Sequence, residues 1–241
     1  MFCRFLLIGF LIGLILFPAA GPLSAQQTQS AAPGKTVPQT PSADKTAPVS
    51  RWISLSTAAN GAWEPCNFGG DGEVHFSAER IEMTAGDPLT GVRLKQDHFP
   101  REQFEIELQA RRTEGFDFFC GLTFPIGKGY ASFILGGWSG GVVGLSSIDG
   151  QDASENDTTT FKTFENGRWY TVRVRVDQQR IRCWIDDKVF VDQPRGEHEF
   201  TVRSEMDPSL PVGIAGFQVT SELRNLRWRR LAAMPESNAG E

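Results

Sequence analysis

With three histidines and two tyrosines in 241 residues, acid–base chemistry in this chain falls mainly to carboxylates. Asp117 and Glu107 are the catalytic candidates. Strand alternation puts both at outward-facing positions of candidate neighbouring strands, and two facing carboxylates suffice to hydrolyse a glycosidic bond. Gly136-Gly137-Trp138-Ser139-Gly140-Gly141 sets one large aromatic between two glycine pairs. Glycines admit left-handed backbone and close approach, and an exposed indole face stacks on a sugar ring. A Gly-rich hairpin turn with the indole folded onto the core fits the same residues. Asp149 to Asp157 carries four carboxylates and two amides in nine residues, which makes Asp149, Asp152 and Asn156 the candidates for binding a ligand's hydroxyls beside Trp138. That loop lacks the spacing of a calcium loop and reads equally as a solvated acidic loop. The cysteine spacings match no zinc pattern, so no metal site is expected. No G-x-S-x-G, H-E-x-x-H or phosphate-cradling glycine loop occurs, so no cofactor is expected either.

The elements that must position these residues show a period of two. Phe104, Ile106 and Leu108 alternate with Glu105, Glu107 and Gln109, and Tyr170, Val172, Val174 and Val176 alternate with Thr171, Arg173, Arg175 and Asp177. Ile181, Cys183 and Ile185 alternate with Arg182, Trp184 and Asp186. A further run places Phe116, Phe118, Cys120, Leu122 and Phe124 on one face. Each is a half-buried strand. Asp177 to Arg180 makes a hairpin, and Asp186-Asp187-Lys188 turns into a third strand. No window shows a convincing helical period. The expected fold is all-β, a two-sheet antiparallel sandwich or jelly roll with little or no helix.

Residues 1–25 read as a secretory signal: Arg4, an apolar run from Phe5 to Phe17, Pro18, then Leu23-Ser24-Ala25. The expected location is therefore secreted or periplasmic, without membrane attachment once the signal is cleaved. Residues 26–50 hold four prolines and no aromatic residue, the composition of a flexible linker. Large apolar residues return at Trp52, so the folded domain is expected over 51–231 and a flexible tail over 232–241. The formal charge of −5 speaks against a nucleic-acid partner. After signal removal Cys66, Cys120 and Cys183 remain, enough for at most one internal disulfide, and parity puts Cys120 and Cys183 on the core side.

Three stretches carry a resemblance. They are Phe104–Leu108 with Cys120-Gly121-Leu122, Gly167–Val176 with Ile181–Lys188, and Val212–Gln218 with Leu223–Leu231. Together they resemble the 3-keto-disaccharide hydrolase (3-keto-glucoside lyase/hydratase) domain family over roughly residues 70–231. The resemblance implies a concanavalin A-like jelly roll, a carbohydrate ligand or substrate, and cleavage of 3-keto-glycosides. The family's Glu-x-Gln-x-x-Asp stretch is replaced here by Phe133–Gly141, so no catalytic residue carries over from it. A non-catalytic lectin-like module, or a laminin-G-like adhesion module with a protein partner, stands as the alternative.

Overall fold

The computed structural model describes residues 50–96 and 98–232. The signal segment, nearly all of the linker and the tail beyond Ala232 lie outside the described residues. Among the described residues fifteen strands form, beginning with β1 (Ile53–Ser54), β2 (Trp63–Pro65), β3 (Val74–Phe76), β4 (Ile81–Met83) and β5 (Leu89–Leu94). There follow β6 (Phe104–Glu114), β7 (Cys120–Ile126), β8 (Gly129–Gly136), β9 (Val142–Ser146) and β10 (Thr160–Phe161). The last five are β11 (Tyr170–Val176), β12 (Arg180–Ile185), β13 (Lys188–Pro194), β14 (Gly213–Phe217) and β15 (Thr220–Arg230). A helical turn at Gly137–Gly140 and a 3-10 turn at Ser204–Ser209 are the helical elements among the described residues.

The strands make two antiparallel sheets. One runs β13-β12-β11-β6-β15-β4-β3 with β1 added on β15; the other runs β10-β9-β8-β7-β14-β5-β2. The consecutive strands β14 and β15 thus occupy interior positions in different sheets. The predicted alternation sets the inner face of the eight-stranded sheet: Ile106, Leu108, Val172, Val174, Ile181 and Cys183 are buried. They meet Leu122, Phe124, Phe133, Leu135 and Ile214 from the other sheet in one continuous core. Asp186 and Asp187 both take positive φ, 50° and 62°, the backbone of the tight turn that matches the twist of flanking strands.

The seven-stranded sheet differs, because its outer face is covered too. Every residue of β7 and of β9 is buried. Small residues make this possible. A Cβ on Gly213 would stand 2.4 Å from the Ser209 carbonyl oxygen, so the 3-10 turn lies directly on backbone there.

The strand phase expected from Phe116 to Phe124 breaks at its start. Strand β7 begins at Cys120, Phe119 is fully buried in the core, and Phe116 is 67% exposed. Phe118 leaves the core and packs on the outer face against Leu89, Ala215, Met206 and Phe217. The reason is local: Asp117 lies in the β6–β7 connection and binds the Phe118 N–H with its own side chain (2.7 Å), a tight turn that resets the alternation. Cys66, Cys120 and Cys183 are free and buried. Burial pushes the Cys66 and Cys120 thiols up to about 12 and raises that of Cys183.

Phe119→Ala is expected to lower unfolding free energy by about 3–5 kcal/mol, as aromatic truncations in packed cores do. Phe116→Ala should stay within about 0.5 kcal/mol. Urea denaturation of both variants checks the phase, and equal losses would contradict it.

Candidate functional site

The covering of the seven-stranded sheet is incomplete at one place. Between the β8–β9 connection, the Asp117 loop and the 3-10 turn lies a cavity of about 320 Å³. Its floor is Ser132, Ile134 and Ser146 of the sheet; its walls include Leu89, Phe118, Met206 and Phe217. The rings of Phe118 and Phe217 pack with centroids 5.9 Å apart. At the mouth stand Trp138, Asp117, Arg203 and Glu205.

Trp138 reaches this position through unusual backbone. Gly136, Trp138, Ser139 and Gly140 all have positive φ (81°, 48°, 70° and 100°), so the tip coils left-handedly and leaves the indole 43% exposed. Gly140 has no alternative, since a Cβ there would come 2.3 Å from the Phe116 carbonyl oxygen. Asp117 locks the tip: one carboxylate oxygen accepts from the Ser139 N–H (2.9 Å) and the other from the Phe118 N–H. Behind it, the buried Arg112 donates to the Asp117 carbonyl (3.0 Å), the Phe164 carbonyl (3.1 Å) and the Asn166 side chain (2.6 Å). Burial lowers the pKa of that guanidinium. Arg112 is therefore the strut that ties the Asp117 loop to the loop after β10.

The opposite rim is ionic. Arg203 donates to Asp152 (2.7 Å) and to Glu205 (3.0 Å). Its bond to Glu205 and the charge of Asp152 raise its pKa, while the bond from Arg203 holds the Glu205 carboxyl below the usual range. Asp152 also accepts from the Ser146 hydroxyl (3.1 Å), which joins the rim to the cavity floor.

The structure thus brings Trp138 and Asp117 together and attaches Asp152 through Arg203. It separates the others. Glu107 lies on the outer face of the other sheet, where it accepts two bonds from Arg227; it shares no face with Asp117, because β6 and β7 belong to different sheets and Asp117 is in a loop. Asp149 does not line the cavity; it accepts from the Glu199 N–H (2.8 Å) and is bonded to His198 (2.6 Å), and the His198 bond holds its carboxyl below the usual range. Asn156 is buried, and its amide is consumed inside its own loop. It donates to the carbonyls of Leu145, Gln151 and Asp152 and accepts from Thr158. It holds the loop's shape and presents nothing to a ligand.

Arg203, Glu205, Met206 and Phe217 escaped sequence reading. Phe217 had a signal, since the parity of Val212–Phe217 sends it outward. Nothing in the sequence marks the Arg203–Glu205 rim, which meets Trp138 only through the fold. Among the described residues, no three His, Cys, Asp or Glu side chains converge in a way that could hold a metal ion.

Similarity to solved structures is of fold alone. A Crh5 transglycosylase solved in complex with NAG is 12% identical, with a TM-score of 0.50 over 78% of this chain and 89% of that one. Domain 4 of AbnA, an extracellular arabinanase of Geobacillus stearothermophilus solved with arabinotriose, is 13% identical, with a TM-score of 0.49 over 79% of this chain and 96% of that one. The carbohydrate-binding module CBM66 of Bacillus subtilis is 12% identical, with a TM-score of 0.44 over 70% and 95%. No curated protein sequence matches the chain. Residues 60–231 match a family model described as a 3-keto-alpha-glucoside-1,2-lyase-like domain.

The rim has a measurable signature. In a carboxylate NMR titration Glu205 is expected to titrate below an ordinary glutamate, about 4.3, and to move back up in Arg203→Gln. Stability linked to this lowered value is complete above the ordinary range and is lost as pH falls through it. A Glu205 midpoint unchanged by Arg203→Gln would contradict the pairing.

Proposed function

The chain belongs to the 3-keto-alpha-glucoside-1,2-lyase-like domain family, and from that premise we propose that it seats a saccharide in the Trp138 cavity. The observation that carries this reading is one mouth holding both kinds of group a sugar requires. A pyranose presents an apolar C–H face and a rim of hydroxyls, so its site combines an aromatic platform with fixed polar groups. Trp138 supplies the platform, with Phe118 and Phe217 lining the same cavity. Arg203 and Glu205, a donor and an acceptor held side by side, match vicinal hydroxyls.

Binding comes ahead of catalysis in this reading because both carboxylates of the mouth are already engaged. Asp117 is spent on two backbone N–H groups, and Glu205, held acidic by Arg203, is a weak base. Family membership favours a second reading, elimination from a 3-keto-glycoside. The C3 ketone acidifies the C2 proton, and Glu205 would remove it. The C–H electrons would form an enolate whose oxygen lies against Arg203. Collapse of the enolate would form a C1=C2 double bond, restore the C3 ketone and expel the glycosidic oxygen from C1, which leaves as an alcohol with the proton that Glu205 took from C2. Export belongs to the same proposal and is supported by Arg4, the run Phe5–Phe17 and the small residues at Leu23–Ala25.

Calorimetric titration with neutral oligosaccharides, run beside a 3-keto-glycoside turnover assay on the same sample, tests both readings. Trp138→Ala is expected to abolish binding with little change in melting temperature, because the exposed indole is not part of the core. Glu205→Gln, which keeps an acceptor oxygen but loses the charge, should weaken binding without abolishing it; under the second reading it should remove turnover. Absence of binding to any saccharide in the wild type would overturn the first reading, and absence of turnover the second.

A further inference from the structure

The outer face of the eight-stranded sheet carries a different surface. Strand pairing lines its outward side chains into rows across β12, β11, β6 and β15. Arg182, Arg175, Glu105 and Arg229 form one row; Trp184, Arg173, Glu107 and Arg227 form the next. Thr171, Gln109 and Arg224 form a third. Glu105 is fully buried beneath Arg175 (2.6 Å) and Arg229.

The guanidinium groups lie over indole rings. Arg173 stacks 4.5 Å from the Trp184 ring, and Arg224 and Arg111 lie 4.0 and 4.7 Å from Trp169. Arg229 and Arg227 lie 4.3 and 4.7 Å from Trp52. On β11, β6 and β15 these rows set Arg173, Arg175, Arg224, Arg227 and Arg229 against Glu105 and Glu107, with Asp187 3.7 Å from Arg173 and Asp192 bonded to Arg182, in a chain whose net charge is −5. Arg224 has Gln109 (2.8 Å) and Trp169 for partners and makes no ion pair among the described residues. Beside the second and third rows lies a groove of about 560 Å³ lined by Trp52, Ser54, Gln109, Thr171 and Asn225, with the paired Glu107 and Arg227 as its charged residues.

We propose that this face is a second carbohydrate site, independent of the Trp138 cavity, and that its ligand is an acidic polysaccharide built of uronate sugars. Charge complementarity argues for an anion, since guanidinium pre-oriented on an indole offers its paired N–H donors to a carboxylate. The amides and hydroxyls between the arginines argue for a sugar backbone. The net positive charge is modest and interrupted by Glu107, which suits one carboxylate per sugar better than the dense phosphate charge of a nucleic acid.

The test uses the full chain on immobilised polygalacturonate, with neutral dextran and a single-stranded oligodeoxynucleotide as separate arms. The expected result is retention on polygalacturonate, little on dextran or the oligonucleotide, and release as salt rises, because surface charges are screened. Arg173→Gln with Arg224→Gln should weaken retention roughly tenfold, as loss of charge-assisted contacts does, and leave neutral-saccharide binding at the cavity unchanged. Should the double variant unfold, Arg224→Gln alone, which breaks no ion pair, reads the same loss. The proposal is overturned by no retention, by retention that these substitutions leave intact, by equal capture on the oligonucleotide, or by retention that instead disappears with Trp138→Ala.

Discussion

The centre of the seven-stranded sheet is buried on both faces, completely so at β7 and β9, and the room this leaves on the outer face shapes everything resting on it. Its inner face meets the core with Leu122, Phe124, Phe133 and Ile214. Its outer face is kept low by Gly91, Gly121, Gly213 and Ala215, and by Thr123 and Ser132, whose hydroxyls bond each other while Thr123 also accepts from Ser209 of the covering 3-10 turn. Loops can then lie against the strands. Where those loops part, the floor stays smooth and the rims consist of loop residues, which is why aromatic, acidic and basic side chains meet at one mouth.

The eight-stranded sheet obeys the opposite rule. With one face open to solvent it carries clean alternation, and its polar side is paired across strands. Cross-strand neighbours stand close enough for arginine, glutamate and tryptophan to interact directly. Glu105 shows how far this goes: a fully buried carboxylate on a nominally exposed face, covered by two guanidiniums. The two outer faces therefore differ in kind, one smooth and roofed by loops, the other flat, aromatic and cationic.

How much of this was legible in the sequence follows from the same difference. The alternation of Tyr170–Val176 and Arg180–Ile185 gave their inner faces correctly, because a one-sided sheet writes its burial directly into a period of two. In Cys120–Ile126 every residue is buried, and the run gives no sign that its phase was reset one turn earlier by Asp117. Trp138 stood out because glycine pairs advertise left-handed backbone. Asn156 looked like a ligand group because polarity alone does not distinguish an amide facing solvent from one spent on three carbonyls. Arg203 and Glu205 come to Trp138 from more than sixty positions away in the chain, and no local pattern records such a meeting.

The positions of β14 and β15 set a timetable. The last two strands among the described residues are interior strands, β14 between β7 and β5 and β15 between β6 and β4. Neither sheet can close until the C-terminal end of the domain has been delivered, whichever end begins to collapse first. Non-local pairing of this kind makes assembly slow and leaves earlier strands unpaired in the interval. The strands made before β14 and β15 would thus stay unpaired until Thr220–Arg230 has been delivered, and in that interval Cys66, Cys120 and Cys183, sealed once the sheets close, are open to reagents.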